Sequence, residues 1–247
     1  MDNVTVDLKA PSLYVEPDGR LYRFKRRLTF KNIFNAIRSS VKKEQEFSLL
    51  EIGTGAGFFI TFLESEFPKA KFTGIEYDPR LVSLAQTKVK DAIILQGNAE
   101  DFDLGDDKYD IIVSLQVIEH LYNPELMLAL VKKHLKPEGT FIFTTPNLGC
   151  LSRRVMRDKW HGFCEDHVSL KSFDEWKVFA EENGFSSIYC GSTFFSGIPL
   201  LNKFPMGILN WGLLFLVGSL KWKQGESFIG VFKHSGKLKG EANNDSN

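Results

Sequence analysis

Apolar positions along the chain recur with two periods. Short strand-like runs centre on Leu49-Leu50, Phe72-Thr73-Gly74-Ile75, Ile93-Ile94-Leu95, Ile111-Ile112-Val113 and Phe141-Ile142-Phe143, with helix-like stripes between them. Leu81, Leu84, Ala85 and Val89 form one stripe behind Asp78-Pro79, an N-cap followed by proline at the first helical position. Asn123-Pro124 repeats that device ahead of Leu126, Leu130 and Val131, and Lys132 and Lys133 near the helix end suit its dipole. Ser172-Phe173-Asp174-Glu175 reads as a capping box opening the stripe Phe173, Trp176, Phe179 and Ala180, which Asn183-Gly184 stops. Strands that alternate with helices predict an α/β domain of parallel strands joined by right-handed crossovers.

The chemistry begins where the first run ends. Leu49-Leu50-Glu51-Ile52-Gly53-Thr54-Gly55-Ala56-Gly57-Phe58-Phe59 breaks from apolar residues through an acid into alternating glycines. A strand turning into a helix on glycines leaves backbone N–H groups accessible and predicts a nucleotide-like cofactor. Glu76, ending the second run, is placed to accept both ribose hydroxyls of an adenosine, although a strand-end acid can also be merely solvated. The dinucleotide fingerprint needs a third glycine where Phe58 stands, which disfavours NAD.

The glycine pattern with Glu51 two residues ahead resembles the first motif of class I S-adenosylmethionine-dependent methyltransferases. The likeness continues in order through Gly97-Asn98-Ala99-Glu100-Asp101, Tyr109-Asp110-Ile111-Ile112-Val113-Ser114, Leu115-Gln116-Val117-Ile118-Glu119-His120-Leu121 and Gly139-Thr140-Phe141-Ile142-Phe143-Thr144-Thr145-Pro146-Asn147. It implies a Rossmann-like, doubly wound, seven-stranded and mostly parallel sheet with helices on both faces. S-adenosyl-L-methionine is the implied cofactor. Glu51 would anchor its methionine end, Gly53, Thr54, Gly55 and Gly57 form the turn, and Glu76 takes the ribose. Tyr77 would cover the adenine face, Asn98, Ala99 and Glu100 approach the adenine, and Gln116 lie beside the methionine portion. Asn-Ala-Glu-Asp is also an ordinary helix cap.

Composition narrows the partners. The 247 residues, 43% hydrophobic, can bury one full α/β core. Equal numbers of acidic and basic residues give zero net charge, which argues against a nucleic-acid partner. Cys150, Cys164 and Cys190 are odd in number and widely spaced, so reduced thiols in a cytoplasmic protein are expected. No signal peptide is expected.

A sulfonium methyl is already electrophilic, so the protein must align an acceptor and exclude water, and a hydroxyl acceptor also needs a base. Two histidines are candidates. His120 leaves the fourth strand at the carboxyl edge of the sheet, where ligands of such folds sit. His167 ends Trp160-His161-Gly162-Phe163-Cys164-Glu165-Asp166-His167, which resembles the substrate-facing loop of small-molecule and glycan methyltransferases, and Asp166 is placed to orient a histidine. The structural alternative is that His167 tethers the loop. Ubiquinone-type O-methyltransferases, the subgroup most similar here, carry Glu-x-x-Glu-His at the fourth-strand exit with a divalent metal; Gln116 replaces the first carboxylate, and no metal is expected.

Residues 204–220 carry no charge. Seventeen residues with Pro205, Gly207, Asn210 and Gly212 are a poor transmembrane helix, which leaves an apolar cap over the acceptor or an interfacial segment flanked by Lys203, Lys221 and Lys223. Arg20, Arg23, Lys25, Arg26 and Arg27 form a basic arm suited to phosphates or a membrane head group. The expected organisation is an N-terminal arm and helical lid (1–46), a methyltransferase domain (47–236) with an apolar cap at about 193–223, and a disordered tail (237–247). The expected activity is methyl transfer to a hydroxyl of a small-molecule, glycan or lipid-linked acceptor, with peripheral contact at the inner membrane surface through 204–220 held open. A NAD-dependent oxidoreductase and a non-catalytic membrane-peripheral protein with a relict pocket are the rivals.

Overall fold

The computed structural model describes residues 30–41, 45–193, 198, 203, 205–217 and 219–235, without the side chains of 211 and 213–217. The basic arm and the polar tail lie outside the described residues. Helices α1 (Lys31–Ser40), α2 (Phe58–Glu66), α3 (Pro79–Lys88), α4 (Pro124–His134), α5 (Leu151–Met156), α6 (Phe173–Glu182) and α7 (Met206–Val217) surround one sheet. Its strands are β1 (Ser48–Ile52), β2 (Lys71–Glu76), β3 (Ile93–Gln96), β4 (Tyr109–Leu115), β5 (Leu135–Pro146), β6 (Phe185–Thr193), β7 (Ser219–Leu220) and β8 (Ser227–His234).

The spatial order is β3-β2-β1-β4-β5-β8-β6-β7. β1 to β5 run parallel, β8 is antiparallel to β5, and β6 is antiparallel to β8, so β6 points the same way as the first five. The carboxyl ends of β1, β2, β4, β5 and β6 therefore share one edge. The sheet has eight strands where the sequence predicts seven. The extra one, β7, pairs two residues with the end of β6 after the apolar segment, too short to show any alternation.

Each face of the sheet carries its own core. Ile52, Ile112, Phe141, Phe143 and Phe228 pack with Met127, Leu128 and Val131 of α4 and with Phe173, Trp176 and Ala180 of α6. Leu49, Ile111 and Ile142 pack on the other face with Ile33, Phe34 and Ile37 of α1, Phe59, Ile60 and Leu63 of α2, and Val82 and Ala85 of α3. Two predicted stripes hold in part: Ala85 and Val89 of the first and Leu130 and Val131 of the second pack on the sheet, and Leu84 and Leu126 do not. In α3 Val82 and Ala85 are buried while Leu84 is exposed, and in α4 Met127, Leu128 and Val131 are buried while Leu126 is exposed. Both helices carry apolar residues on more than one face, and the sheet chooses among them. Asp78 caps α3 by accepting from Arg80 N at 2.8 Å, but Asn123 makes no side-chain cap to α4. Ser172 and Glu175 form the predicted capping box.

Asn147, just beyond β5 and fully buried, binds three segments of the carboxyl edge together. Its Nδ2 donates to Lys223 O at 2.9 Å and Gly225 O at 2.8 Å, and its Oδ1 accepts from Gly149 N at 3.0 Å and Phe173 N at 2.9 Å. Asn147→Ala leaves these groups unsatisfied inside the protein. We expect about 3 kcal/mol of lost stability by urea unfolding; a loss under about 1 kcal/mol would show that water replaces the side chain.

Candidate functional site

The glycine turn follows β1. Gly53 N and Thr54 N both donate to Ile75 O, at 2.8 and 2.9 Å, clamping the turn to β2. Gly53, Gly55 and Gly57 all have positive φ, at 75°, 54° and 79°. Their surroundings separate their roles. A Cβ on Gly53 would stand 2.2 Å from Val117 and one on Gly57 3.0 Å from Ala85, so those two serve packing. A Cβ on Gly55 meets nothing within 4 Å, because Gly55 faces a cavity of about 240 Å³ lined by Phe30, Glu51, Thr54, Phe58, Leu115 and Gln116 among others. Phe30, which precedes α1, is a lining residue the sequence did not indicate.

The acids of the site are held in place. Glu51, 2% exposed, accepts from Thr54 Oγ1 at 2.6 Å. Glu76 accepts from Gly55 N at 2.8 Å and from Asp78 N at 3.0 Å, so its carboxylate is fixed over the turn with acceptor capacity left for hydroxyl donors. Gln116 takes a positive φ of 57°, unusual for a residue with a side chain, and its Nε2 donates to Thr144 Oγ1 at 3.2 Å. Tyr77 is 72% exposed beside Glu76. Asn98 Oδ1 accepts from Glu100 N, Ala99 packs into the core, and Glu100 accepts from Asn123 N, so these three have structural partners of their own. A wider cleft of about 500 Å³, lined by Ser48, Lys71 and Tyr109, lies at the amino ends of β1, β2 and β4, away from the glycine turn.

The second part of the site lies where β4 exits. His120 and His167 meet edge to face with ring centroids 4.7 Å apart. His120 Nδ1 lies 3.0 Å from Asp166 O and His167 Nδ1 lies 2.7 Å from Gly162 O. Asp166 thus meets His120 through its backbone carbonyl. Both rings donate from Nδ1, which leaves Nε2 as the lone-pair nitrogen of each neutral ring. Burial and the neighbouring His167 lower the pKa of His120. Beneath them Glu119 is fully buried with no hydrogen bond to either carboxylate oxygen, and burial pushes its carboxyl up to about 7. Glu119 stood in the sequence as part of a motif only; the run Glu119-His120 was the signal that it belongs to the site.

The loop carrying His167 is anchored at several points. Trp160, 1% exposed, donates from Nε1 to Glu226 Oε1 at 2.6 Å, and His161 Nε2 lies 3.1 Å from the same oxygen. Ser169 N donates to Glu119 O at 3.0 Å and Ser169 Oγ to Leu121 O at 2.7 Å, joining the loop's end to the β4 exit.

The glycine turn and the histidine pair lie on one edge of a doubly wound sheet, and comparison with known proteins identifies the family. Residues 20–189 match the family model described as "Methyltransferase domain", more than half of the chain, and the chain belongs to that family. It is a class I S-adenosylmethionine-dependent methyltransferase, with S-adenosylmethionine as cofactor. Malonyl-[acyl-carrier protein] O-methyltransferase of a Paenibacillus species is 28% identical over 166 residues, 62% of this chain and 60% of the relative. Ubiquinone biosynthesis O-methyltransferase of Photobacterium profundum is 28% identical over 104 residues, 40% of this chain and 43% of the relative. The chain thus spans less than two thirds of these curated relatives. The solved structure of the plantazolicin methyltransferase BamL in complex with triazolic desmethylPZN analog and SAH shares the fold, with TM-score 0.62, 20% identity and 85% of each chain covered.

Proposed function

We propose that the protein transfers the methyl group of S-adenosylmethionine to a hydroxyl oxygen of a small-molecule, glycan or lipid-linked acceptor. The observation that carries this reading is the His120–His167 pair over buried Glu119, three residues along the chain from the cavity-lining Gln116. A hydroxyl must lose its proton as the methyl arrives, and two imidazoles with Nε2 unprotonated supply that capacity. In-line placement next to the sulfonium supplies the remainder. The test is methyl transfer from labelled S-adenosylmethionine to hydroxyl acceptors from an extract of the source cell, with S-adenosylhomocysteine released in equal amount.

The acceptor class is drawn from the insertion between β6 and β8. It leaves the carboxyl end of β6, on the same edge as the cofactor turn, and α7 carries no charged residue. Gly207 and Asn210 face inward, while Met206, Ile208 and Leu209 are 44%, 66% and 57% exposed. Lys203 and Lys221 flank this face, and Lys223 is engaged with Asp174 at 2.7 Å. No helix among the described residues is long and apolar enough to cross a membrane. An uncharged helix that stays apolar on its exposed side suits the interface of an anionic membrane from which a lipid-linked acceptor is taken. The protein should therefore sediment with anionic liposomes at low salt, and added salt should weaken but not abolish this. Ile208→Ser and Leu209→Ser should each lower the association by about tenfold at most. Absence of sedimentation at low salt would assign the segment to the pocket cap alone.

A second reading has one observation in its favour. Arg153, Arg154, Arg157 and Lys159 are exposed on the same edge and form no ion pair among the described residues. They would suit an acidic carrier presenting a carboxylate, in keeping with the name of the malonyl-carrier relatives. A carboxylate is already ionised and needs no base, so full turnover without His120 and His167 would favour it.

A further inference from the structure

We infer that Phe30 makes the cavity at the glycine turn select the charge of its ligand, so that the sulfonium of S-adenosylmethionine is held more tightly than the neutral thioether left after transfer. Phe30 is then a specificity-determining residue, supplied by the segment ahead of β1. The inference rests on the methionine portion occupying this cavity, which Gly55→Val tests separately, and it does not depend on the identity of the acceptor.

Three observations carry it. The first is the charge of the wall. Glu51, 2% exposed, lines the cavity, and among the described lining residues there is no lysine, arginine or histidine. A wall with a carboxylate and no basic side chain favours positive charge. The second is its aromatic content, since Phe30, Phe58 and Phe59 all line the same space. Ring faces attract cations, whereas a neutral thioether keeps only the weaker contact between sulfur and ring.

The third observation singles out Phe30 among the rings. Phe59 is 3% exposed and belongs to the core, and Phe58 carries the Lys88 ammonium 3.4 Å from its ring centroid. Phe30 is half-buried at the cavity and packs on Phe59 with ring centroids 4.9 Å apart. Its carbonyl accepts from Phe34 N at 2.8 Å, which joins it to α1, and α1 is fastened to the sheet by buried Ile33, Phe34 and Ile37. The ring is therefore set in place before a ligand arrives, and binding spends little on ordering it.

Transfer itself removes the charge. The acceptor's electron pair forms the new bond to the methyl carbon, the pair of the broken S–C bond stays on sulfur, and the sulfonium becomes a thioether. The attraction to Phe30 is lost at that step, which favours release of S-adenosylhomocysteine over its retention in the cavity.

The test is calorimetric titration of the full chain with S-adenosylmethionine and with S-adenosylhomocysteine. Phe30→Leu keeps an apolar side chain without the ring. It should weaken S-adenosylmethionine roughly five- to thirtyfold and S-adenosylhomocysteine by about threefold at most, while Phe30→Tyr keeps the native ratio of the two. Equal weakening of both ligands would make Phe30 a merely apolar wall and overturn the inference, as would native S-adenosylmethionine affinity in folded Phe30→Leu. The nitrogen analogue of the cofactor, in which a titrating tertiary amine replaces the sulfonium, separates charge from size. The unmodified protein should bind its protonated form at least about fivefold more tightly than its neutral form, and the preference should shrink in Phe30→Leu. Glu51, the one titratable side chain in the described lining, is common to both proteins. Equal binding of the two forms by the unmodified protein would overturn the inference even if Phe30→Leu failed to fold. Native affinity in folded Gly55→Val would overturn it differently, by removing the cofactor from the cavity.

Discussion

Gly55→Val is expected to abolish measurable S-adenosylmethionine binding in a protein that still folds. The valine side chain would enter the cavity, since nothing lies within 4 Å of a Cβ at this position, and it would occupy the space the methionine portion needs. The φ of 54° adds strain, roughly 1–2 kcal/mol for a residue with a side chain. A domain stable by about 5–15 kcal/mol tolerates that. Glu76→Ala should act more mildly. It removes the acceptor of Gly55 N and Asp78 N as well as the proposed ribose contacts, which should cost about 1.5–3 kcal/mol of binding, or roughly ten- to hundredfold in affinity. Calorimetric titration checks both. Native affinity in folded Gly55→Val would remove the cavity from the account, and native affinity in Glu76→Ala would remove the ribose contact.

The second large effect belongs to turnover. His120→Ala and His167→Ala should each lower kcat by roughly 10² to 10⁴, the range of general acid–base groups, with cofactor affinity retained. Their rings touch, so the double variant should lose little more than the worse single one, as for groups that act as a unit. Additive losses would mean that the two act independently, and full activity in both would mean that alignment alone drives transfer.

The sheet was legible because its strands are long apolar runs with glycine or Asx-Pro punctuation at their ends. The glycine turn was equally legible as a turn, since Gly53, Gly55, Glu51 and Glu76 are close in sequence to the strand ends that position them. In the stripes of α3 and α4 only Leu84 and Leu126 were misassigned, because they are as apolar as Val82, Met127 and Leu128, which the sheet buries instead. β7 escaped notice because two residues carry no period. The acceptor side depended on long-range geometry. His167 reaches His120 only because Trp160 is fastened to Glu226 and Ser169 to the β4 exit, contacts between distant segments that no local pattern encodes. Asn147 was visible as a motif end, but its bonds to residues 223 and 225 require β5 and β8 to be neighbours. The third-glycine argument against NAD agrees with the family to which the chain belongs.

The central claim, transfer of a methyl group from S-adenosylmethionine to a hydroxyl, is tested most directly with trideuteromethyl-labelled cofactor. The full-length protein is incubated with that cofactor and a small-molecule and lipid extract of the source cell, and products are resolved by mass spectrometry. The account predicts a product carrying the labelled methyl on oxygen, one S-adenosylhomocysteine per product, and loss of both with Gly55→Val. A protein that binds the cofactor yet yields no labelled product would be a binding protein with a relict pocket, and label found only on nitrogen, carbon or a carboxylate would contradict hydroxyl methylation.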